Sequence, residues 1–223
     1  MNQELIIRLS KYKRLLHKLK ALGLERVFSN NLGDAIGITP ALVRKDFSVL
    51  NLPGNKRGGY EINFLISQLN HILGKDQPQD VIIVGCGRIG TALMRYDEFA
   101  SEGIRVIAGF DINPENVQKV RDIPIYPLGE MARFIGESGV QVGIISVPDT
   151  AASHVLDLMI QAGIRGILNF ASIELKQTSP GSAVSSGRCI IQNVNIGLEL
   201  EQLFYQIRAA EIRDEKELRE AAV

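Results

Sequence analysis

Residues 81–93 read Val-Ile-Ile-Val-Gly-Cys-Gly-Arg-Ile-Gly-Thr-Ala-Leu, and this stretch constrains the fold more tightly than any other. Four apolar, mostly β-branched residues predict a buried strand. A Gly-x-Gly-x-x-Gly turn follows at Gly85, Gly87 and Gly90, and a helical pattern begins at once. That is the strand–turn–helix setting a dinucleotide fingerprint requires. Gly85 permits the tight turn, Gly87 lets backbone approach a pyrophosphate, and Gly90 lets the helix pack close to the strand. The free N–H groups of the helix start then face the anion. Cys86, Arg88 and Ile89 fill the turn between the glycines. Such a motif alone is weak, because a glycine turn is also kept for packing. It gains weight from Asp111, which ends a second predicted strand about twenty residues past the last glycine, as the fingerprint expects. A carboxylate there accepts hydrogen bonds from ribose hydroxyls and repels a 2′-phosphate, so the expected cofactor is NAD(H) and not NADP(H).

The alternation continues beyond Asp111. Short helices are expected at 114–120 and 129–136, an extended piece at 123–128, strands at 140–148, 166–170 and 188–194, and a helix at 150–162. Strands alternating with helices imply a doubly wound parallel sheet with right-handed crossovers. Ligands of such sheets sit beyond the carboxyl ends of the strands, which groups Gly85, Asp111, Val147, Pro148 and Asn169 around one crevice. No substrate domain of comparable size follows. His17, His71 and His154 stand alone, so no catalytic residue is assigned.

The first 77 residues are helical and more basic. Leu5, Leu9, Tyr12, Leu15, Leu16, Leu19 and Leu22 recur at helical spacing, and Gly23 stops that helix. Ser29 is expected to cap a second helix. Gly37 makes a turn, Thr39 caps a third helix, and Pro40 takes its first position. Leu42, Phe47 and Leu50 face inward there, and Arg44, Lys45 and Ser48 outward. Two short helices across a glycine turn read as helix-turn-helix, with the basic helix suited to the major groove. Lys56 and Arg57 then lie among turn formers, with a short strand at 60–62 that includes Tyr60: the pattern of a winged-helix hairpin with a basic tip for phosphate or the minor groove. A fourth helix spans 63–73, and 74–80 is a polar linker. The competing view is a helical interaction domain with a solvated basic face.

Net charge is zero, so any nucleic-acid surface must be local. The two cysteines, Cys86 and Cys189, have no paired spacing and no histidine cluster nearby, which argues for a reducing compartment and against a metal site or disulfide framework. The start lacks a signal-peptide pattern, and no apolar run reaches about 18 residues, so the expectation is a cytoplasmic protein with no membrane partner. A final helix over 198–220 begins apolar and turns charged; its apolar face is expected to pack on a second subunit. The expected division is therefore 1–77 for winged helix, 78–197 for Rossmann domain and 198–223 for a dimerisation helix.

With both halves read, the chain resembles the Rex family of bacterial redox-sensing transcriptional repressors over about residues 8 to 207. The resemblance rests on Leu-Gly-Asp-Ala-Ile-Gly-Ile (32–38), Val-Arg-Lys-Asp-Phe-Ser (43–48), Gly-Asn-Lys-Arg-Gly-Gly-Tyr (54–60), the fingerprint (84–93), Gly-Phe-Asp (109–111), Ile-Ser-Val-Pro (145–148) and Gly-Ile-Leu-Asn-Phe-Ala (166–171). It implies a homodimer that exchanges its last helix, binds inverted-repeat double-stranded operators when NADH is low, and is released by NADH. It carries DNA contacts to Arg44, Lys45, Lys56, Arg57 and Tyr60, and sensing roles to Arg14 and Tyr96, with Tyr96 beside the cofactor. At the start of the final helix the family's aspartate is replaced by Asn195, which removes a charge that pairs with Arg14 in one dimer state. The wing is also shorter by a residue or so, and Ser172 stands where a proline is common. The resemblance thus implies an NADH-responsive repressor, with a blunted response expected from Asn195. The competing functions are an NAD-dependent dehydrogenase or a CoA- or nucleotide-binding enzyme subunit.

Overall fold

The computed structural model describes residues 3–53, 58–176 and 189–221. The chain forms two compact units, Met1–Pro78 and Gln79–Val223.

The first unit contains α1 (Gln3–Ala21), β1 (Arg26–Val27), α2 (Ser29–Ile36), α3 (Pro40–Val49), β2 (Tyr60–Glu61) and α4 (Ile62–Ile72). Leu5, Leu9, Tyr12 and Leu16 supply the buried face of α1 and meet Leu32, Val43, Phe47, Ile62, Leu65 and Leu69 in one core. Leu22 lies past the helix end and is 76% exposed, so the apolar stripe ends earlier than its spacing predicts. The α2–α3 connection follows its local chemistry. Gly37 closes α2 in the left-handed region at φ 74, Thr39 Oγ1 accepts from Leu42 N–H at 3.2 Å, and Pro40 opens α3. The cap of α2 differs from expectation. Phe28 holds the N-cap position, its N–H donating to Asn31 Oδ1 at 3.2 Å, and Ser29 is already helical. On α3, Phe47 is buried as expected, whereas Leu42 and Leu50 are only half-buried; Val43 and Asp46 take the inward positions. Strand β2 pairs antiparallel with β1, Val27 opposite Tyr60. It ends one residue earlier than expected because Glu61 caps α4, its carboxylate accepting from Asn63 N–H at 2.9 Å and Phe64 N–H at 2.7 Å.

The second unit runs β3 (Gln79–Val84), α5 (Arg88–Met94), α6 (Glu98–Ser101), β4 (Ile104–Asp111), β5 (Ile125–Pro127), α7 (Met131–Ser138), β6 (Val142–Ile145), α8 (Asp149–Gln161), β7 (Gly166–Asn169), β8 (Ile190–Asn193) and α9 (Ile196–Ala221). The described strands form one parallel sheet in the order β5-β4-β3-β6-β7-β8. This is the doubly wound order, with its switch point between β3 and β6. The side chains of β3 alternate between two cores. Ile82 and Val84 join Ala108, Phe110, Leu156 and Met159, while Val81 and Ile83 join Met94, Val120 and Ile144. A strand covered on both faces reads as a continuous apolar run, as residues 81–84 do. Pro127 sits on the edge strand, where a missing N–H is tolerated. The helix expected at 114–120 shrinks to one 3-10 turn, Pro114–Asn116; the chain instead makes a tight turn, with Ile123 N–H donating to Val120 O at 3.2 Å. Along α9 the apolar side chains lie open, Phe204 being 67% and Tyr205 75% exposed.

Candidate functional site

The turn after β3 lies at the switch point. Gly85 has φ +93, and a Cβ there would lie 2.6 Å from Ser146 O. A Cβ on Gly90 would lie 2.0 Å from Gly85 O, so helix α5 packs against this turn at a distance only glycine allows. Gly87 is the N-cap of α5, where free N–H groups gather, and a Cβ on it would meet nothing within 4 Å. Ser146 Oγ donates to Gly85 O at 2.7 Å and ties the turn to the end of β6.

Asp111 belongs to the same construction. Its Oδ2 accepts from Cys86 N–H at 2.8 Å and its Oδ1 from Asn113 N–H at 3.0 Å. Each oxygen keeps a further lone pair for a ligand hydroxyl. The two halves of the fingerprint are therefore one hydrogen-bonded unit. Cys86 is 3% exposed, and its Sγ lies 3.6 Å from Phe110 O. Burial first, and then the charge of Asp111, push its thiol up to about 12. A thiol so placed stays protonated and is a packing residue, not a nucleophile. Arg88 and Ile89 are exposed on the first turn of α5, Val147 is half-buried, and Pro148 is exposed ahead of α8.

Asn169 has another occupation. It is fully buried; its Nδ2 donates to Ala171 O, Ile173 O and Asn193 Oδ1, and its Oδ1 accepts from Ala171 N–H. It thus holds the loop after β7 against the end of β8. The loop reaches further: Ser172 N–H donates to Asp149 Oδ1 at 2.8 Å, and Ser172 O accepts from Asn195 Nδ2 at 3.4 Å. Asn195 Oδ1 in turn accepts from Leu198 N–H at 3.1 Å, capping α9. Tyr96 follows α5, half exposed; its hydroxyl donates to Glu98 Oε2 at 2.9 Å, and its ring stands edge-on to Phe99.

In the first unit, Arg44, Lys45 and Ser48 form the exposed face of α3, and Arg44 Nη1 donates to Ser29 Oγ on α2 at 3.1 Å. Behind this face lies a cluster that sequence reasoning missed. Asp46 is buried and accepts from Arg8 Nε at 2.7 Å, Arg8 Nη2 at 2.8 Å and the Tyr12 hydroxyl at 2.9 Å. Burial alone would raise the Asp46 carboxyl; the bonds from Arg8 and Tyr12 outweigh it and hold the group below its ordinary range. The same contact raises Arg8, and burial followed by Asp46 raises Tyr12. The available signal was Arg8 and Tyr12, one helical turn apart on α1. Tyr60 is half-buried, its ring edge-on to Phe47 at 4.9 Å between centroids, so it packs as well as fronts the surface. Arg14 is exposed on α1. Lys56 and Arg57 lie outside the described residues. Among the described residues no helix is long and apolar enough to cross a membrane, and no three His, Cys, Asp or Glu residues gather as metal ligands would.

Two family models match the chain: a putative DNA-binding protein N-terminus over residues 3–48 and a CoA binding domain over 76–173. The redox-sensing transcriptional repressor Rex of Desulforamulus reducens is 34% identical over 207 residues, 92% of this chain and 95% of that protein. The Rex of Clostridium botulinum strain Eklund 17B is 35% identical over 208 residues, 93% and 95% of the two chains. Among solved structures, the Rex-family repressor RSP in complex with NAD+ and operator DNA superposes with a TM-score of 0.84 at 28% identity, covering 97% of each chain. RSP in complex with NADH gives 0.79 at 29% identity, covering 96% of this chain and 98% of that one.

Proposed function

The chain belongs to the Rex family of redox-sensing transcriptional repressors, and from that premise we propose how its own residues perform repression. It is a DNA-binding repressor that senses NADH against NAD+ through the second unit. The observation that carries this reading is the joined fingerprint: Asp111 bonded to Cys86 N–H beside the open flank of Gly87. Gly85–Gly90 with Arg88 and Ile89 would hold the pyrophosphate, Asp111 the adenosine ribose, and Val147 and Pro148 the far half of the cofactor; Tyr96 lies instead beside Ile104, Arg105 and Val106 at the other end of β4. Asn169 shapes that wall from behind. Arg44, Lys45 and Ser48 meet the operator in the major groove, with Lys56, Arg57 and Tyr60 as the wing. Two copies act together through the exposed apolar face of α9, as an inverted-repeat operator demands. Arg14, Tyr96 and Asn195 are the switch residues. The cofactor is bound and left unreacted, and the protein works in the cytoplasm.

The test is operator binding by the full chain, on duplexes with and without an inverted repeat, titrated with NADH and NAD+ in competition. Preference for the repeat that NADH abolishes supports the reading. No preference over random DNA in any cofactor state, or measured hydride turnover with a small substrate, overturns it. A second reading, a repressor with a blunted NADH response, is favoured by Asn195, whose amide is engaged in capping α9 and holding Ser172. A switch needs a difference in contact energy between its states, and a residue satisfied locally supplies less of one. A large NADH-specific loss of affinity in the same titration sinks this second reading.

A further inference from the structure

Between the last residue of α5, Met94, and the first of α6, Glu98, lies a three-residue junction with Tyr96 at its centre. Both flanks of that junction are held from outside. Arg121 Nη2 donates to Arg95 O at 3.1 Å on one side of Tyr96, and to Asp97 Oδ1 on the other. Arg95 O belongs to the last turn of α5, whose carbonyls lack intrahelical partners. One guanidinium nitrogen thus caps one helix and grips the residue that opens the next.

The geometry points to Arg121 as the positioning residue that aims Tyr96, a role deepening the reading of Tyr96 as a switch residue and resting on it. Three observations converge. First, Arg121 adopts φ +52, the left-handed region; Asn51 is the other non-glycine residue there among the described residues. Asparagine visits this region readily and arginine does not, so the conformation is kept against a local cost. Second, the contacts so gained are surface contacts: the Arg121 side chain is 48% exposed and that of Asp97 88%. Surface ion pairs contribute little to stability. A strained residue held in place for a weak bond is the pattern of a functional constraint. Third, the turn that carries Arg121 is firmly seated. Val120 is fully buried, and Val120 and Ile123 pack in the same core as Met94 and Phe99, which bracket the junction. Phe99 in turn meets the Tyr96 ring edge-on at 5.2 Å. The Tyr96 ring and its two flanking peptides are therefore referred to one turn seated in that core.

The test uses the full chain and four variants: Arg121→Gly, Tyr96→Ala, the double variant and Asp97→Ala. Glycine suits φ +52, so Arg121→Gly keeps the turn while deleting the clamp. The readout is the ratio of operator Kd with NADH to that with NAD+, with thermal unfolding recorded beside it. We expect Tyr96→Ala to blunt the ratio. Arg121→Gly should lower it by about threefold to fivefold, the scale of an exposed charged contact. It should leave melting and the NAD+ affinity unchanged, and add nothing in the Tyr96→Ala background. Asp97→Ala should reproduce its effect. If Tyr96→Ala blunts the ratio and Arg121→Gly does not, or if Arg121→Gly lowers it equally without the tyrosine, the assignment of Arg121 is overturned and that of Tyr96 stands. If Tyr96→Ala leaves the ratio intact, the switch role of Tyr96 fails and Arg121 falls with it.

Discussion

Replacing Asp46 by alanine deletes the acceptor of three hydrogen bonds at once: two from Arg8 and one from Tyr12. The arginine is left beside a hole, its side chain 19% exposed and its former partner's 5%. Removing one member of a buried pair costs about 3–5 kcal/mol, because the other charge stays desolvated without compensation. Arg8 retains a path to water, so the low end, about 3 kcal/mol, is the expected loss. Asp46→Asn keeps one acceptor and should cost about 1.5 kcal/mol. Replacing the whole cluster together, as in Arg8→Met with Tyr12→Phe and Asp46→Leu, should recover most of the loss. Amide hydrogen exchange is the suitable assay, since it reports α1 and α3 separately from the second unit. The protection of both helices should fall together, and operator affinity should fall with it, because the clamp sits behind Arg44 and Lys45. The pH dependence has a defined sign. Asp46 is more acidic folded than unfolded, so its contribution is complete above the ordinary value of 3.8 and disappears as pH falls through the lower folded value. Unchanged exchange in α1 and α3 of the alanine variant would refute the reasoning.

Lys45→Ala should weaken binding to operator and random duplex alike and reduce the slope of log affinity against log salt by about one, measured by fluorescence anisotropy; an unchanged slope removes Lys45 from the phosphate contacts. Asp111→Ala should weaken NADH binding about tenfold to a hundredfold, the scale of hydrogen bonds to a charged group, and narrow the preference over NADPH; calorimetry showing parental affinity counts against the ribose contact. Cys86 should resist alkylation at neutral pH, because it is buried and burial pushes its thiol up to about 12, and should react only on unfolding; labelling of the native protein at the rate of a free thiol contradicts this.

What could be read from the chain was local chemistry. The Gly85–Gly90 turn, the Thr39 cap, Pro40 and the buried run 81–84 each carry their reason within a few residues, and each stands where expected. What escaped depends on partners distant in sequence. Strand β1 is two residues long and owes its existence to β2. Asp46 reads as one more charge on a polar helix until α1 is laid beside it. Asn169 ends its strand at the crevice, yet its amide is taken up by Asn193 and the loop after β7. Ser29 has the residue type of a cap, but Asn31, accepting from Phe28 N–H, fills that role. Arg121 carries no local signal, since only the fold brings it to Arg95 and Asp97.

The seal between Ser146 and Gly85 joins positions 61 residues apart. Strands β3 and β4 can pair during synthesis as soon as Asp111 has emerged, but the crevice has only one wall until β6 arrives beside β3. Closing a loop of that length must precede the contacts that reward it, so completion of the site is a late event on the folding path. A nascent chain halted before Ser146 would own every glycine of the fingerprint and the acid at Asp111, and still lack a pocket to put the cofactor in.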